Sequence, residues 1–311
     1  MPTDILVIVE SSEARLTGLR TLGEVHYVPG ATERAEAIAA HGPRIRAVVT
    51  NGSIGLRAAE IELMPSLGII CAVGAGYENI DLAAARARGV AVAHGPGTND
   101  AAVADHAFAL LLASARGLLT ADREVREGQW DAARRMRPGV SGRRLGILGL
   151  GRIGLGIARR GEGFGMEIGY HNRHRRADVP YRYHADPRDL AEASDFLVAV
   201  TPGGAETRHM VDTEVLRALG PKGFLVSVGR GSAVDKAALA AALHDGTIAG
   251  AGLAVLDGEP EVPAALLDAP NLLFTPHIAG RSPEAVAAVL KLLMANLAAF
   301  FEGRPLVTPV P

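Results

Sequence analysis

Short apolar runs alternate with stretches of helical periodicity along the chain, in two successive series. In the first, Ile5–Val9, Ala47–Thr50, Ile69–Val73 and Val90–Ala93 read as strands, and Ala31–Ala40 has helical character. A long helical stretch, Ala101–Leu119, follows Thr98-Asn99-Asp100, three good N-cap candidates. Arg134–Arg144, basic and glycine-containing, reads as a surface loop. The second series runs Leu145–Leu148, Glu167–His171, Phe196–Val200, Gly223–Val228, Ala249–Ala254 and Leu272–Thr275, and a last helix covers Pro283–Phe301. Strands alternating with helices predict parallel sheets covered on both faces. Six strands in the second series suit a doubly wound nucleotide fold.

A length of 311 residues favours two domains over one core. Hydrophobic residues at 48% and charged residues at 21% exclude a disordered chain. A net charge of −2 argues against nucleic acid or an anionic membrane as partner. The lone cysteine, Cys71, makes no internal disulfide, so a reducing compartment is the simpler assumption. MPTDILVIVE has no basic leader and reads as a first strand, not a signal peptide. Ala107–Ala115, taken as the most apolar helical stretch, falls far short of the ~20 residues a membrane crossing needs. The expectation is a cytoplasmic protein with no membrane and no metal.

Chemistry enters at Gly149-Leu150-Gly151-Arg152-Ile153-Gly154, which follows an apolar strand and opens a helical pattern. The first glycine allows a tight turn, the second a close approach to pyrophosphate, and the third lets helix pack on strand. A bare G-x-G-x-x-G is weak in a glycine-rich chain, and a turn without ligand is the competing reading; strand, loop and helix in order favour the dinucleotide. An acidic residue about 20 positions on would bind an NAD ribose. Here the second strand ends in Asn172-Arg173-His174-Arg175-Arg176 instead, with no carboxylate before Asp178. Arginine suits bidentate phosphate binding, so NADP(H) is preferred, with NAD(H) as the alternative. Thr201, Pro202 and Val228 complete the cofactor-binding candidates.

Three further segments fall at predicted strand ends: Val228-Gly229-Arg230-Gly231, Asp257-Gly258-Glu259-Pro260 and Thr275-Pro276-His277-Ile278. Reducing a 2-oxo acid needs a proton donor for the forming alkoxide, a cation for the oxygens, and a group that keeps the donor protonated. His277, Arg230 and Glu259 supply these in that order, since a carboxylate beside histidine stabilises imidazolium. Singly, each has a plain structural reading as a cap, a surface turn or a loop start. Jointly, in a dinucleotide-binding half, they do not.

With VADHAFALLLA (103–113), GILGLGRIG (146–154), YHNR (170–173), GPKGFLVSVGRG (220–231), GAGLAVLDGEP (250–260) and TPHIAG (275–280), the chain resembles the D-isomer-specific 2-hydroxyacid dehydrogenase family. It is most similar to the glyoxylate/hydroxypyruvate and hydroxyphenylpyruvate reductase branch, and CAVGAGYENIDL (71–82) extends the likeness more weakly upstream. The resemblance implies an α/β protein of two Rossmann-like or flavodoxin-like parallel-sheet domains with an interdomain active-site cleft. Residues 1–98 plus 284–311 would bind substrate and 99–283 the nucleotide. It implies a homodimer built through the nucleotide domain, with Arg230 on substrate, His277 transferring the proton and Glu259 supporting His277. It also implies that Gly74, Ala75 and Gly76 bind the substrate carboxylate; plain chain reversal is the alternative for three small residues. Trp130 either reaches across a dimer or simply packs.

Two positions depart from the family pattern. Ala254 stands where an aspartate usually helps hold the nicotinamide carboxamide, and Asp100 where the branch often has a threonine; Asp100 is expected to cap the helix starting at Ala101. Ala254 is the feature favouring a second reading, a dinucleotide-sensing binding protein with little catalysis. Another anion, such as phosphite or formate, is the alternative substrate class.

Overall fold

The computed structural model describes residues 3–310. The chain divides into two compact units, Met1–Asn99 with Ser282–Pro311, and Asp100–Arg281.

The first unit holds β1 (Asp4–Val7), β2 (Glu24–Tyr27), β3 (Ile45–Thr50), β4 (Ile69–Ala72) and β5 (Ala91–Ala93) in one parallel sheet ordered β2-β1-β3-β4-β5. Alternate residues feed two cores, one on each face. Leu6, Ile8 and Val48 join one cluster, while Ile5, Val7, Ala47 and Val49 join the other. This two-sided burial is why the strands read as unbroken apolar runs. The edge strand β2 (Glu24-Val25-His26-Tyr27) lacks such a run, being half exposed, and was not predicted. Its His26 Nε2 lies 3.1 Å from Asp4 Oδ2, which Arg44 Nε also approaches to 3.1 Å, so the buried Asp4 carboxylate is paired.

The last helix, Pro283–Phe301, matches its predicted span and packs Leu293 and Leu297 into this unit's core. By length and composition it is apolar enough to cross a membrane. That corrects the sequence-based choice of Ala107–Ala115 as the most apolar helical stretch. Beyond it the tail is pinned by the buried Asn296. Asn296 Oδ1 accepts from the amides of Val307 and Thr308 at 3.0 and 3.1 Å, and its Nδ2 donates to Thr308 Oγ1 at 2.9 Å. The tail then lies antiparallel beside β5, with Val310 N donating to Val92 O, and covers a sheet edge.

The second unit carries β6 (Arg144–Leu148), β7 (Glu167–His171), β8 (Arg182–Tyr183), β9 (Phe196–Ala199), β10 (Phe224–Ser227), β11 (Gly250–Leu253) and β12 (Leu272–Phe274). Its parallel sheet is ordered β12-β11-β10-β9-β6-β7-β8. Seven strands replace the six expected, because β8 is two residues long and carries no periodic signal. The sheet order reverses between β6 and β9, which makes their carboxyl ends the natural ligand crevice. The helix expected over Ala101–Leu119 ends at Arg116. Gly117 (φ +58°) breaks it, and Leu118–Arg126 continues at a bend of 57°.

Substituting Asn296→Ala strands two backbone amides without acceptors. It is expected to cost about 2–3 kcal/mol, read as a lowered urea-unfolding midpoint; an unchanged midpoint would mean the tail is not held this way.

Candidate active site

β6 runs straight into the glycine loop, where Gly149 and Gly154 are sterically required. Gly149 has φ +100°, and a Cβ there would meet Val200 O at 3.0 Å. A Cβ on Gly154 would fall 2.2 Å from Gly149 O, so helix and strand close only over hydrogen. Around Gly151, by contrast, a Cβ would meet nothing within 4 Å, leaving open space at the start of the Arg152–Gly163 helix. Ile153 is partly buried against the core behind the loop. Asn172 Oδ1 accepts from Leu150 N at 2.6 Å, tying the loop to the end of β7. Arg176 Nη1 donates to Leu150 O at 2.9 Å, and its backbone is anchored on the buried Tyr170 hydroxyl. That leaves Arg173, His174 and Arg175 exposed together on the loop after β7.

Across the switch point, Thr201 and Pro202 follow β9, and Val228 follows β10. Thr201 is buried, and among the described residues its Oγ1 has no hydrogen-bond partner. An orphaned hydroxyl costs free energy unless something else fills its valence. Pro202 is exposed and Val228 buried.

Arg230 sits between two glycines that closely approaching backbone demands. A Cβ on Gly229 would lie 2.5 Å from Thr201 O, and one on Gly231 would lie 2.0 Å from Leu256 C. Gly-Arg-Gly is therefore a wedge between neighbouring strand-end loops, not a free surface turn. Beyond Leu256 the chain turns through Gly258 (φ +84°) to Glu259, whose Oε1 accepts from Leu256 N at 2.8 Å. Its Oε2 meets His277 Nδ1 at 2.8 Å. Burial pushes the Glu259 carboxyl up, but the hydrogen bonds from His277 and Leu256 N, with the charges of His277 and Arg230, outweigh it and hold the group below the usual carboxylate range. His277 itself adopts φ +53°, held there by its N–H donating to Ala254 O at 3.0 Å and Thr275 O at 2.9 Å. Left-handed backbone at a non-glycine residue costs about 1 kcal/mol or more, which surrounding contacts must outweigh. With Nδ1 engaged, the other ring nitrogen is the one left to meet a ligand.

In the first unit, Gly74 (φ +93°) turns the chain after β4, and its carbonyl accepts from Gly95 N at 2.6 Å. Ala75 O faces His94 Nδ1 at 2.9 Å. Among the described residues, the amides of Gly74, Ala75 and Gly76 donate to no protein acceptor, as an anion-binding turn requires.

Several features were not read from sequence. Asp100 does not cap the helix that follows. It is that helix's first residue, Asp100–Arg116, and its Oδ2 accepts from Arg152 Nε at 2.7 Å. Arg173 Nη1 donates to Glu206 Oε2 at 2.7 Å. His106 Nε2 lies 2.8 Å from Thr275 Oγ1, bracing the turn into His277, and burial pushes its imidazole down. Such pairs join residues 33 to 169 positions apart and leave no local pattern. Ala254 is fully buried in the core with Val226, Val228 and Ala279, so packing fills the position where a carboxylate was expected.

Residues 108–279 match the model of the D-isomer specific 2-hydroxyacid dehydrogenase NAD-binding domain. The chain is 40% identical to glyoxylate/hydroxypyruvate reductase A of Arabidopsis thaliana, over 89% of each chain. It belongs to the D-isomer-specific 2-hydroxyacid dehydrogenase family. The dehydrogenase is also 39% identical to hydroxyphenylpyruvate reductase of Plectranthus scutellarioides, over 88% of each chain. Among solved structures it resembles the NADPH-dependent glyoxylate/hydroxypyruvate reductase of Sinorhizobium meliloti, in complex with NADP and malonate. The TM-score is 0.93 at 40% identity, covering 100% of this chain and 97% of that one. The open face at Gly151, the helix start behind it and the orphaned Thr201 hydroxyl fit a dinucleotide in this dehydrogenase.

Gly154→Ala tests the loop. Its methyl must displace Gly149 O, so nucleotide affinity is expected to fall about tenfold or more, with a stability loss of about 1–3 kcal/mol. Fluorescence titration with NADPH at wild-type affinity would show that the close approach is not needed.

Proposed function

We propose that this dehydrogenase reduces small 2-oxo acids (glyoxylate, hydroxypyruvate or an arylpyruvate) to D-2-hydroxy acids, with NADPH preferred over NADH. The contact that carries the proposal is Glu259 Oε2 to His277 Nδ1 at 2.8 Å, on a strand-end edge shared with Arg230. When bound, the reduced nicotinamide supplies the hydride. Arg230 holds the carboxylate and oxo oxygens and stabilises the charge that develops on the oxo oxygen. His277 then donates its Nε2 proton to the forming alkoxide and is reprotonated from solvent, while Glu259 fixes the ring and stabilises its cationic form. Gly74, Ala75 and Gly76 offer three backbone donors as a carboxylate anchor.

The cofactor is held by Gly149, Gly151, Arg152, Ile153 and Gly154 at the pyrophosphate, by Thr201, Pro202 and Val228 beside it, and by Asn172, Arg173, His174 and Arg175 at the ribose. The cationic run supports NADPH, as does the NADPH dependence of the Sinorhizobium meliloti enzyme at 40% identity. Ala254 favours the second reading, a dinucleotide-binding protein without turnover, and the same experiment decides between them.

Residues 1–98 plus 284–311 are proposed as the substrate-binding domain and 99–283 as the nucleotide domain, in a cytoplasmic homodimer. Dimerisation through the nucleotide domain is supported by the helices Leu118–Arg126 and Trp130–Ala133, which bury no residue. They expose Leu118, Leu119 and Trp130, and Met136 beyond them is fully exposed.

NADPH oxidation with glyoxylate, hydroxypyruvate and arylpyruvates in turn should reveal turnover, and its absence alongside tight NADPH binding would sink the enzyme reading. His277→Asn should abolish turnover and leave cofactor affinity intact. Arg173→Ala should raise the KM for NADPH about tenfold or more while barely moving that for NADH. Because the Glu259 pKa is lowered on folding, its pairing stabilises the fold fully above the ordinary carboxylate range of about 4 and is lost as pH falls through the lowered value. Acid unfolding of Glu259→Gln should therefore lack that component, and an identical pH–stability curve would contradict it. Paired changes Leu119→Asp and Met136→Asp should shift sedimentation from dimer to monomer.

A further inference from the structure

Lys236 opens the Lys236–His244 helix, where a cation opposes the helix macrodipole. Asp235 already caps that helix, its Oδ1 accepting from the amides of Ala237 and Ala238 at 2.9 and 3.1 Å. The ammonium group has a different use. Partly buried, it donates to the backbone carbonyl of Asp257 at 2.6 Å, a charge-assisted bond stronger than a neutral one. Arg208 Nη1 approaches the Asp257 carboxylate at 3.6 Å from another direction. The preceding peptide, Leu256–Asp257, is closed by Gly231, against which its atoms pack too tightly for any Cβ. The Leu256–Glu259 turn is thus gripped between the residue after Arg230 and the start of the Lys236 helix.

We propose that Lys236 is a positioning residue: by holding the Asp257 carbonyl it fixes this turn, and with it the Glu259 carboxylate, against His277. The proposal rests on the reductase reading for its effect on turnover, though not for its effect on the turn. Glu259 is exposed, and its Oε1 is anchored within its own turn, on Leu256 N. The aim of Oε2 at His277 therefore follows the turn's orientation. Gly258 in the left-handed region adds no side-chain packing of its own. Gly231 and Arg208 hold the turn at Leu256 and the Asp257 carboxylate, and Lys236 holds the Asp257 carbonyl, of these the backbone group nearest Glu259.

Lys236→Met keeps the length of the side chain and removes the donor. Expected is a fall in kcat of about tenfold, the scale set by imperfect alignment of a catalytic pair, with the KM for NADPH unchanged. Lys236→Arg should restore most of the loss. In a Glu259→Gln background, Lys236→Met should cost nothing further, because the group it positions is gone. Hydrogen–deuterium exchange of 256–261 should accelerate in Lys236→Met while the unfolding midpoint holds. Unchanged kcat, no rescue by arginine, additive losses with Glu259→Gln, or a general fall in unfolding midpoint and NADPH affinity would each overturn the proposal. Were the wild type to turn over no 2-oxo acid, the reductase reading would fail. The exchange measurement would still decide whether Lys236 holds the turn.

Discussion

Backbone crowding along the carboxyl edge of the seven-stranded sheet fixes the glycine loop, Arg230 and the start of the turn to Glu259. Gly154 closes on Gly149, Gly229 on Thr201 and Gly231 on Leu256, each at a separation that excludes a single methyl. Parallel strands deliver their loops to one edge, and these contacts lock neighbouring loops to each other instead of leaving them to solvent. Arg230 is thereby fixed from both flanks. The turn to Glu259 is fixed by the same contact that fixes Arg230, so two proposed roles share one packing constraint. Loop-borne functional groups gain the precision of the strands beneath them.

That constraint also explains what sequence could reveal. Each strand of the second sheet's middle, such as Phe224–Ser227, is buried on both faces and announces itself as an apolar run. Gly149, Gly154, Gly229 and Gly231 are legible because only glycine fits at each. Strand β2, with Glu24 and His26 among its four residues, and the two-residue β8 have no such signature. The break at Gly117 was missed because apolar periodicity resumes at Leu118 and Leu119, both exposed. Arg230, Glu259 and His277 were legible as a set through their places at successive strand ends. Their fastenings were not: Thr275 with His106 and Asp257 with Lys236 pair groups far apart in sequence, and a lone histidine or lysine carries no mark of its partner.

Asp100 shows how a local rule fails for a physical reason. An aspartate before an apolar helical run normally accepts from the helix's own amides. Here Arg152, drawn close because its helix packs against the Asp100–Arg116 helix, offers a charged donor instead. A charge-assisted bond competes well with a neutral cap. The exchange matters for the glycine loop, because it fixes a guanidinium at the start of the helix that follows the loop while balancing its charge.

Arg152 and Lys236 then form a pattern. Both are the first residue of a helix that follows a strand of the nucleotide-binding sheet, and both place positive charge where the dipole disfavours it. Neither is left to solvent alone: Arg152 meets Asp100, and Lys236 meets the Asp257 carbonyl. Local helix stability is given up at the two positions where the charge serves the loops. Asp186 and Asp212, like Asp235 before Lys236, cap their helices in the ordinary way, so the cation adds to the cap at Lys236 and does not replace it.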